Sequence, residues 1–372
     1  MSSIRFLHMD SLRLGSALAG LSDSPEWLRR ISTSAVRQSV KNLFEAAIAA
    51  RCQFVLIAGR LCEQDQDLEL AVTWLKSQVA ALKEHGIRLV VVRHSDAEDA
   101  QLQRLDATIL TPDQCLDVLP ASLGAVDYKV SHRSAMGRQD ALRIEVGTSV
   151  RPASSLAYSA VPSNQVSGVF ASNDGAVTAH DGYLRLSAGC PQAIQPTERG
   201  VYGGLLIEAD SLRRSMTARF CPGDVIRFAQ EAVTCRMGST IPQLMETLRE
   251  RSRTLGGQRC TVVVDWMVDG HFALTLADAH AFSEMELLKE LRSSLHAGHS
   301  GAWPCRIRFS DDSTVEVGGL QSTLISEFAT LVRERSGRMG ANATDWPAVI
   351  SMPLNAGAET PVAVRVLRRF AG

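Results

Sequence analysis

Apolar residues follow two alternating patterns through the first hundred positions. Largely apolar, strand-like runs at 4 to 8, 54 to 58 and 87 to 92 predict short strands, the second a continuous apolar run stopped by Gly59, as expected of a strand buried on both faces. Between them the apolar positions recur every three or four residues, which predicts helices over about 25 to 51 and 68 to 85. Ser24 followed by Pro25 supplies an N-cap and a first-turn proline, and Gly86 falls where a helix C-terminus takes a left-handed residue. Strand, helix, strand, helix, strand at this spacing predicts an α/β layer with parallel strands. Ligands of such sheets sit beyond the carboxyl ends of the strands, which directs attention to the residues after His8, Ala58 and Val92.

From about residue 105 the segments shorten and strands dominate, at 107 to 110, 141 to 146, 156 to 160, 166 to 171, 183 to 186, 201 to 209 and 225 to 234. Ser172-Asn-Asp-Gly175 has the turn chemistry of a hairpin. These elements predict a second sheet packed on the first. After about 236 the period changes again, with helices at 241 to 253 and 282 to 295 around strands at 260 to 268 and 272 to 276. The apolar faces of these helices (Ile241, Leu244, Met245, Leu248; Met285, Leu287, Leu288, Leu291) are read as core. The tail carries strand-like runs at 305 to 309, 314 to 317 and 361 to 367 and a helix at about 320 to 334. The resulting division is 1–235, 236–300 and 301–372.

Composition narrows the function classes. The chain has 372 residues, 45% hydrophobic and 21% charged, which excludes disorder and suits two units or one large domain with an appendage. The 39 Lys and Arg against 40 Asp and Glu exclude a globally basic nucleic-acid binder. Only five of the 39 basic residues are lysine, and arginine suits phosphate geometry, so position decides what the arginines mean. The first 60 residues hold eight Lys and Arg and four Asp and Glu. Eight cysteines include no Cys-x-x-Cys pair and are read as buried small hydrophobes. Arg5, Asp10 and Arg13 break the first apolar stretch, so it does not serve as a secretory signal, and no apolar run approaches the roughly 18 residues a membrane span requires. A cytoplasmic location without membrane contact is expected. No Gly-x-Ser-x-Gly elbow or glycine-rich phosphate loop occurs. His296 and His299 are read as helix-end groups, and His271, Asp278 and His280 as surface-turn groups.

Phe6-Leu-His-Met-Asp-Ser-Leu-Arg-Leu-Gly15 resembles the opening of the calcineurin-like metallophosphoesterases, in particular the SbcD/YhaO-type DNA repair exonucleases, where the first strand ends in Phe-Ile-His-Ala-Ala-Asp-Leu-His-Leu-Gly. Phe54 to Gly59 is similar to the strand before the family's Gly-Asp, and Gly86 to Val92 to the strand before its Gly-Asn-His-Asp. Ala188-Gly-Cys-Pro-Gln192 and Glu198 to Asp210 look like the runs near the end of the family's catalytic domain. The resemblance covers about 205 residues in order. It implies a four-layer β-sandwich flanked by helices, a smaller α+β capping domain that contacts DNA, and an SMC-like coiled-coil ATPase as partner.

The resemblance also implies two divalent cations about 3.5 to 4 Å apart, held by oxygen and imidazole ligands with one bridging carboxylate. At the ligand positions this chain has Ser11 and Arg13 for Asp and His, and Arg60 for the bridging Asp. His94 to Ala97, or with a one-residue shift Arg93 to Asp96, replaces Gly-Asn-His-Asp, which puts Ser95 and Asp96 in ligand positions. Val146, Ala160 and Pro162 stand for the remaining histidine region. Asp10, Asp96 and His94 are the ligand-type groups left in the neighbourhood. The expectation is a phosphoesterase fold with no catalytic residues, no metal and no cofactor. Such a protein would be a binding or scaffolding subunit acting with an ATPase and DNA. The rivals are an active manganese-dependent exonuclease or phosphoesterase with atypical ligands, and a protein-interaction module without nucleic-acid affinity. Arg13, Arg60, Arg93 and His94 are the candidate anion-binding residues, since fixed cations hold phosphate by bidentate contacts. The competing reading pairs these arginines with Asp10, Asp96, Glu63 or Glu98.

Overall fold

Strands with no polar face must lie where both faces are covered, and the three apolar runs near the N-terminus do so. A computed structural model describes residues 3–94, 98–120, 126–132, 141–146, 156–160, 177–179, 183–210, 213–235, 239–256, 260–269, 283–295 and 302–309. β1 (Ser3–Met9), β2 (Phe54–Ile57), β3 (Arg88–Val92) and β4 (Ala107–Leu110) form one half of a seven-stranded sheet. Its order is β4-β3-β2-β1-β11-β12-β9, with β11 at Gly203–Asp210, β12 at Ser215–Pro222 and β9 at Val177–Ala179. β1 to β4 run parallel and β1 pairs antiparallel with β11, so the sheet is mixed. A second, five-stranded sheet is made of β5 (Gln114–Pro120), β6 (Val126–His132), β7 (Leu142–Val146), β8 (Leu156–Ala160) and β10 (Tyr183–Leu186), in the order β10-β8-β7-β5-β6.

Side-chain alternation sorts the core into two layers. Leu7, Met9, Val55, Ile57, Leu89 and Val91 face α1 (Glu26–Ala49) and α2 (Leu68–Glu84), against Val40, Leu43, Val72 and Leu75. Ile4, Phe6, Phe54, Leu56, Val90 and Val92 face the second sheet, against Leu116, Val118, Leu142, Ile144 and Tyr158. Phe6 stacks on Phe54 at 4.6 Å, and Tyr158 meets Phe6 edge-on at 5.2 Å. Truncating a fully buried phenylalanine such as Phe6 costs about 3 to 5 kcal/mol. The expectation of a second sheet packed on the first therefore holds, and the layers run helix, sheet, sheet.

Local signals decide where the helices stop. α2 ends in a Schellman arrangement, with Gly86 N–H on Lys83 O at 2.9 Å, Ile87 N–H on Leu82 O at 3.0 Å, and Gly86 at φ +72°. The N-cap expected of Ser24 is not made: Pro25 is the cap residue of α1 and no side chain caps it. A one-turn helix, α3 (Asp99–Leu102), precedes β4. β5, β6, β9 and β12 are strands that the apolar pattern did not predict.

The chain divides into two compact units, residues 1–229 with 258–263 and residues 230–257 with 264–372. A third sheet joins β13 (Ile226–Thr234), β14 (Thr261–Asp269) and β15 (Trp303–Phe309), in that order. In the second unit α4 (Ile241–Gly256) buries Leu244, Met245 and Leu248. α5 (Glu284–Ser294) buries Leu287 and Leu291. It opens with a capping box in which Glu286 N–H donates to Ser283 Oγ and Ser283 N–H to Glu286 Oε2. Met285, expected in the core, is 78% exposed because it lies on the opposite side of α5 from Leu287 and Leu291. The segments expected at 166 to 175, 272 to 276, 314 to 317, 320 to 334 and 361 to 367, and His271, Asp278, His280, His296 and His299, lie outside the described residues.

Candidate functional site

The chain leaves β1 and β2 along two segments that run side by side. Leu12 N–H donates to Arg60 O at 2.9 Å and Leu14 N–H to Leu61 O at 2.8 Å. Gly59 allows this approach, since a Cβ there would lie 2.4 Å from Ser11 N and 2.5 Å from Ser11 Oγ. Ser11, Arg13 and Arg60 are thus brought together at the carboxyl edge of the sheet, where the sequence directed attention.

Arg13 has a left-handed backbone, φ +57°, and its side chain is only 13% exposed. Nη1 donates to Glu198 Oε1 at 2.8 Å and Oε2 at 2.9 Å, and Nε lies 3.1 Å from Glu63 Oε1. Glu198 Oε2 also accepts the Ile194 N–H at 2.7 Å, which fixes the carboxylate from its own loop. Two glutamates therefore surround this guanidinium. The apolar pattern gave no sign of Glu198, which is 185 residues from Arg13.

Arg60 is 45% exposed and has only long contacts, 3.6 Å to Asp65 and 3.9 Å to Glu98. Exposed pairs of this length contribute little. His94 is exposed, yet its ends are engaged: its N–H donates to Glu98 Oε2 at 2.8 Å, and Nε2 lies 2.9 Å from Ala58 O. A carbonyl oxygen only accepts, so Nε2 carries the proton. Arg93 extends the β3–β4 ladder through its N–H, which donates to Leu110 O at 2.8 Å. Val146 is buried at the end of β7, and Ala160 ends β8. Ser95, Asp96 and Pro162 lie outside the described residues.

Asp10, an expected ligand-type group, is wholly buried and engaged elsewhere. Its Oδ2 accepts from Ser187 Oγ at 2.7 Å and from Gly189 N–H at 2.9 Å. Oδ1 lies 3.2 Å from His8 Nε2, without the alignment of a hydrogen bond, and His8 Nδ1 is 2.7 Å from Tyr158 OH. Complete burial, helped by the Asp10 charge, pushes the Tyr158 phenol well above its ordinary pKa. It stays protonated and donates to His8. This chain of polar groups ties β1 to β8 of the second sheet and to the segment after β10, and sequence reasoning missed it because Tyr158 lies 150 residues away. Among the described residues no three His, Cys, Asp or Glu side chains gather in a metal-holding arrangement. The cysteines are free thiols, six of them buried, and burial pushes Cys52, Cys62 and Cys190 up to about 12. No described helix is long and apolar enough to cross a membrane.

No family model matches the chain. Over a quarter of its length it is similar to a metallophosphoesterase. That relative, described as "Uncharacterized metallophosphoesterase YhaO" from Bacillus subtilis (strain 168), is 29% identical over 92 residues. The match spans 25% of this chain and 22% of the relative's length. The mixed α/β architecture is consistent with a metallophosphoesterase-like fold.

Proposed function

We propose that this chain is a metallophosphoesterase-fold protein of the repair-exonuclease branch that has lost binuclear metal catalysis. It acts as a binding or scaffolding subunit with an SMC-like coiled-coil ATPase on DNA in the cytoplasm. In this reading residues 1–235 carry the four-layer sandwich and residues 236–300 the capping unit.

The observation that carries the reading is Arg13, held between Glu63 and Glu198. The similarity to a metallophosphoesterase implies a pair of divalent cations, and the groups at this edge do not fit one. A guanidinium has no lone pair to give a metal, and its fixed positive charge opposes a dication a few ångströms away. The glutamates that would attract a cation already share the Arg13 guanidinium, which offsets one of their two charges and occupies the space between them. Asp10, the nearest further carboxylate on this strand, is engaged by Ser187 and Gly189. Arg60, where the family's bridging carboxylate would stand, adds a second positive charge. Of the four candidate anion-binding groups, Arg60 and His94 are exposed, but both His94 donors are engaged, so Arg60 supplies the phosphate contact at this edge. Arg13 serves the fold.

The test is a nuclease assay on linear duplex DNA with manganese, with and without chelator. No cleavage above background is expected in either condition. Cleavage that needs manganese and stops with chelator would replace this reading with that of an active exonuclease using atypical ligands.

A further inference from the structure

We propose that the exposed face of α1 is a docking surface for the phosphate backbone of nucleic acid. The inference deepens the DNA-binding part of the proposed reading and rests on it only for the choice of DNA as ligand. Arg30, Arg37 and Lys41 are spaced by seven and four residues, which at about 100° per residue sets them within about 40° of one another on the helix. All three are exposed, while Leu28, Ala35, Val36, Ser39 and Leu43 are buried on the far side of the helix, and Val40, Phe44 and Ala47, also buried, border the stripe. Ser34 and Gln38, also exposed, are the short polar neighbours of this stripe.

The counter-charges on this face stand only at its two ends, Glu26 and Glu45. No Asp or Glu occurs between Glu26 and Glu45. Glu26 pairs with Arg30 at 3.0 Å and Glu45 with Lys41 at 3.8 Å, both in exposed i,i+4 contacts that a polyanion easily outcompetes. Arg37 has no ion-pair partner among the described residues, and exposed Arg29 adds a further cation near the start of the helix. In a chain whose charges otherwise cancel, this is a local concentration of one sign. Eleven residues of helix rise about 16 Å, close to five steps of about 3.4 Å along one strand of DNA. Three cations on a rigid helix, about three and two steps apart, can each meet a phosphate of one strand within that span. A membrane surface suits the face less well, because an interfacial helix inserts an apolar side and the apolar side of α1 is already buried in the core.

The experiment compares wild type, R30Q/R37Q/K41Q and R60E as full chains binding a fluorescent 30-base-pair duplex at several salt concentrations. Glutamine keeps helix propensity, and circular dichroism checks that each variant is folded. The triple variant is expected to bind about tenfold or more weakly at low salt, and the slope of log affinity against log salt is expected to fall by about 2 to 3. Equal binding by wild type and the triple variant overturns the inference while leaving DNA binding intact. Weakening by R60E alone overturns it in favour of the strand-end cleft. Absence of wild-type binding even at low salt overturns both the inference and the DNA-binding part of the proposed function. Loss of binding to vesicles containing phosphatidylserine, with duplex binding unchanged, overturns it in favour of a lipid surface.

Discussion

Replacing Arg13 by alanine probes the ion pairs at the carboxyl edge of the sheet. The guanidinium is 13% exposed and Glu198 11% exposed, whereas Glu63 is 50% exposed. The contact to Glu63 is worth at most about 1 kcal/mol in that solvent-rich setting. Loss of the contact to Glu198 leaves a mostly buried carboxylate with the Ile194 N–H as its remaining donor. Removing one partner of a fully buried pair costs about 3 to 5 kcal/mol, and the residual solvent access here reduces that to about 2 to 3 kcal/mol. The backbone supplies an internal control. At φ +57° alanine keeps the left-handed penalty and glycine relieves it, so Arg13→Gly is expected to be more stable than Arg13→Ala by up to about 1 kcal/mol. In a unit of this size each kcal/mol moves the melting temperature by about 2 to 4 °C, so Arg13→Ala melts about 5 to 10 °C below wild type. Thermal unfolding followed by circular dichroism reads this directly. A melting temperature for Arg13→Ala within about 1 °C of wild type, or a glycine variant less stable than alanine, refutes the reasoning.

Three further outcomes follow from the same geometry. Gly59→Ala forces a methyl group against Ser11 N and the Asp10 carbonyl carbon, and urea unfolding is expected to record a loss of about 3 kcal/mol or more. Tyr158→Phe removes the donor to His8 inside a buried network and is expected to cost about 1 to 3 kcal/mol in the same assay; a neutral substitution would contradict the network. Burial raises Cys52, Cys62 and Cys190 from 9 to about 12. These thiols stay protonated in the native state while the unfolded ones ionise. The stability that comes from keeping them neutral is full below about pH 9 and is lost as pH rises towards about 12. Six cysteines are therefore expected to be silent to Ellman's reagent at pH 8 until the chain unfolds.

The legible parts of the fold were those whose signal is local. The run of β2 has no polar face to misread and that of β3 only Arg88 at its start, and Gly86 marked the end of α2 through its own backbone preference. β5 and β12 were not legible. β5 buries Asp117 between Leu116 and Val118, and β12 alternates Met216 and Ala218 with Thr217 and Arg219, so polar residues interrupt the apolar pattern of each strand. Their strand character comes from neighbours supplied by β7, β6 and β11. The candidate site divides in the same way. Arg13 and Arg60 stood out by their position after strand ends, and Glu63 was among the acids considered as partners. Glu198 and Tyr158 reach the site only through tertiary packing, which no spacing along the chain encodes. The same limit applies to Asp10, whose residue type suggests a ligand and whose partners, Ser187 and Gly189, show a buried structural group.

The central claim is that fixed positive charge occupies the edge of the sheet where a metallophosphoesterase holds its cations. Isothermal titration of the purified, chelator-treated chain with manganese tests it most directly. The account predicts no saturable binding stronger than millimolar and no change in melting temperature on adding metal. Binding of two manganese ions per chain, with a rise in melting temperature, would contradict it.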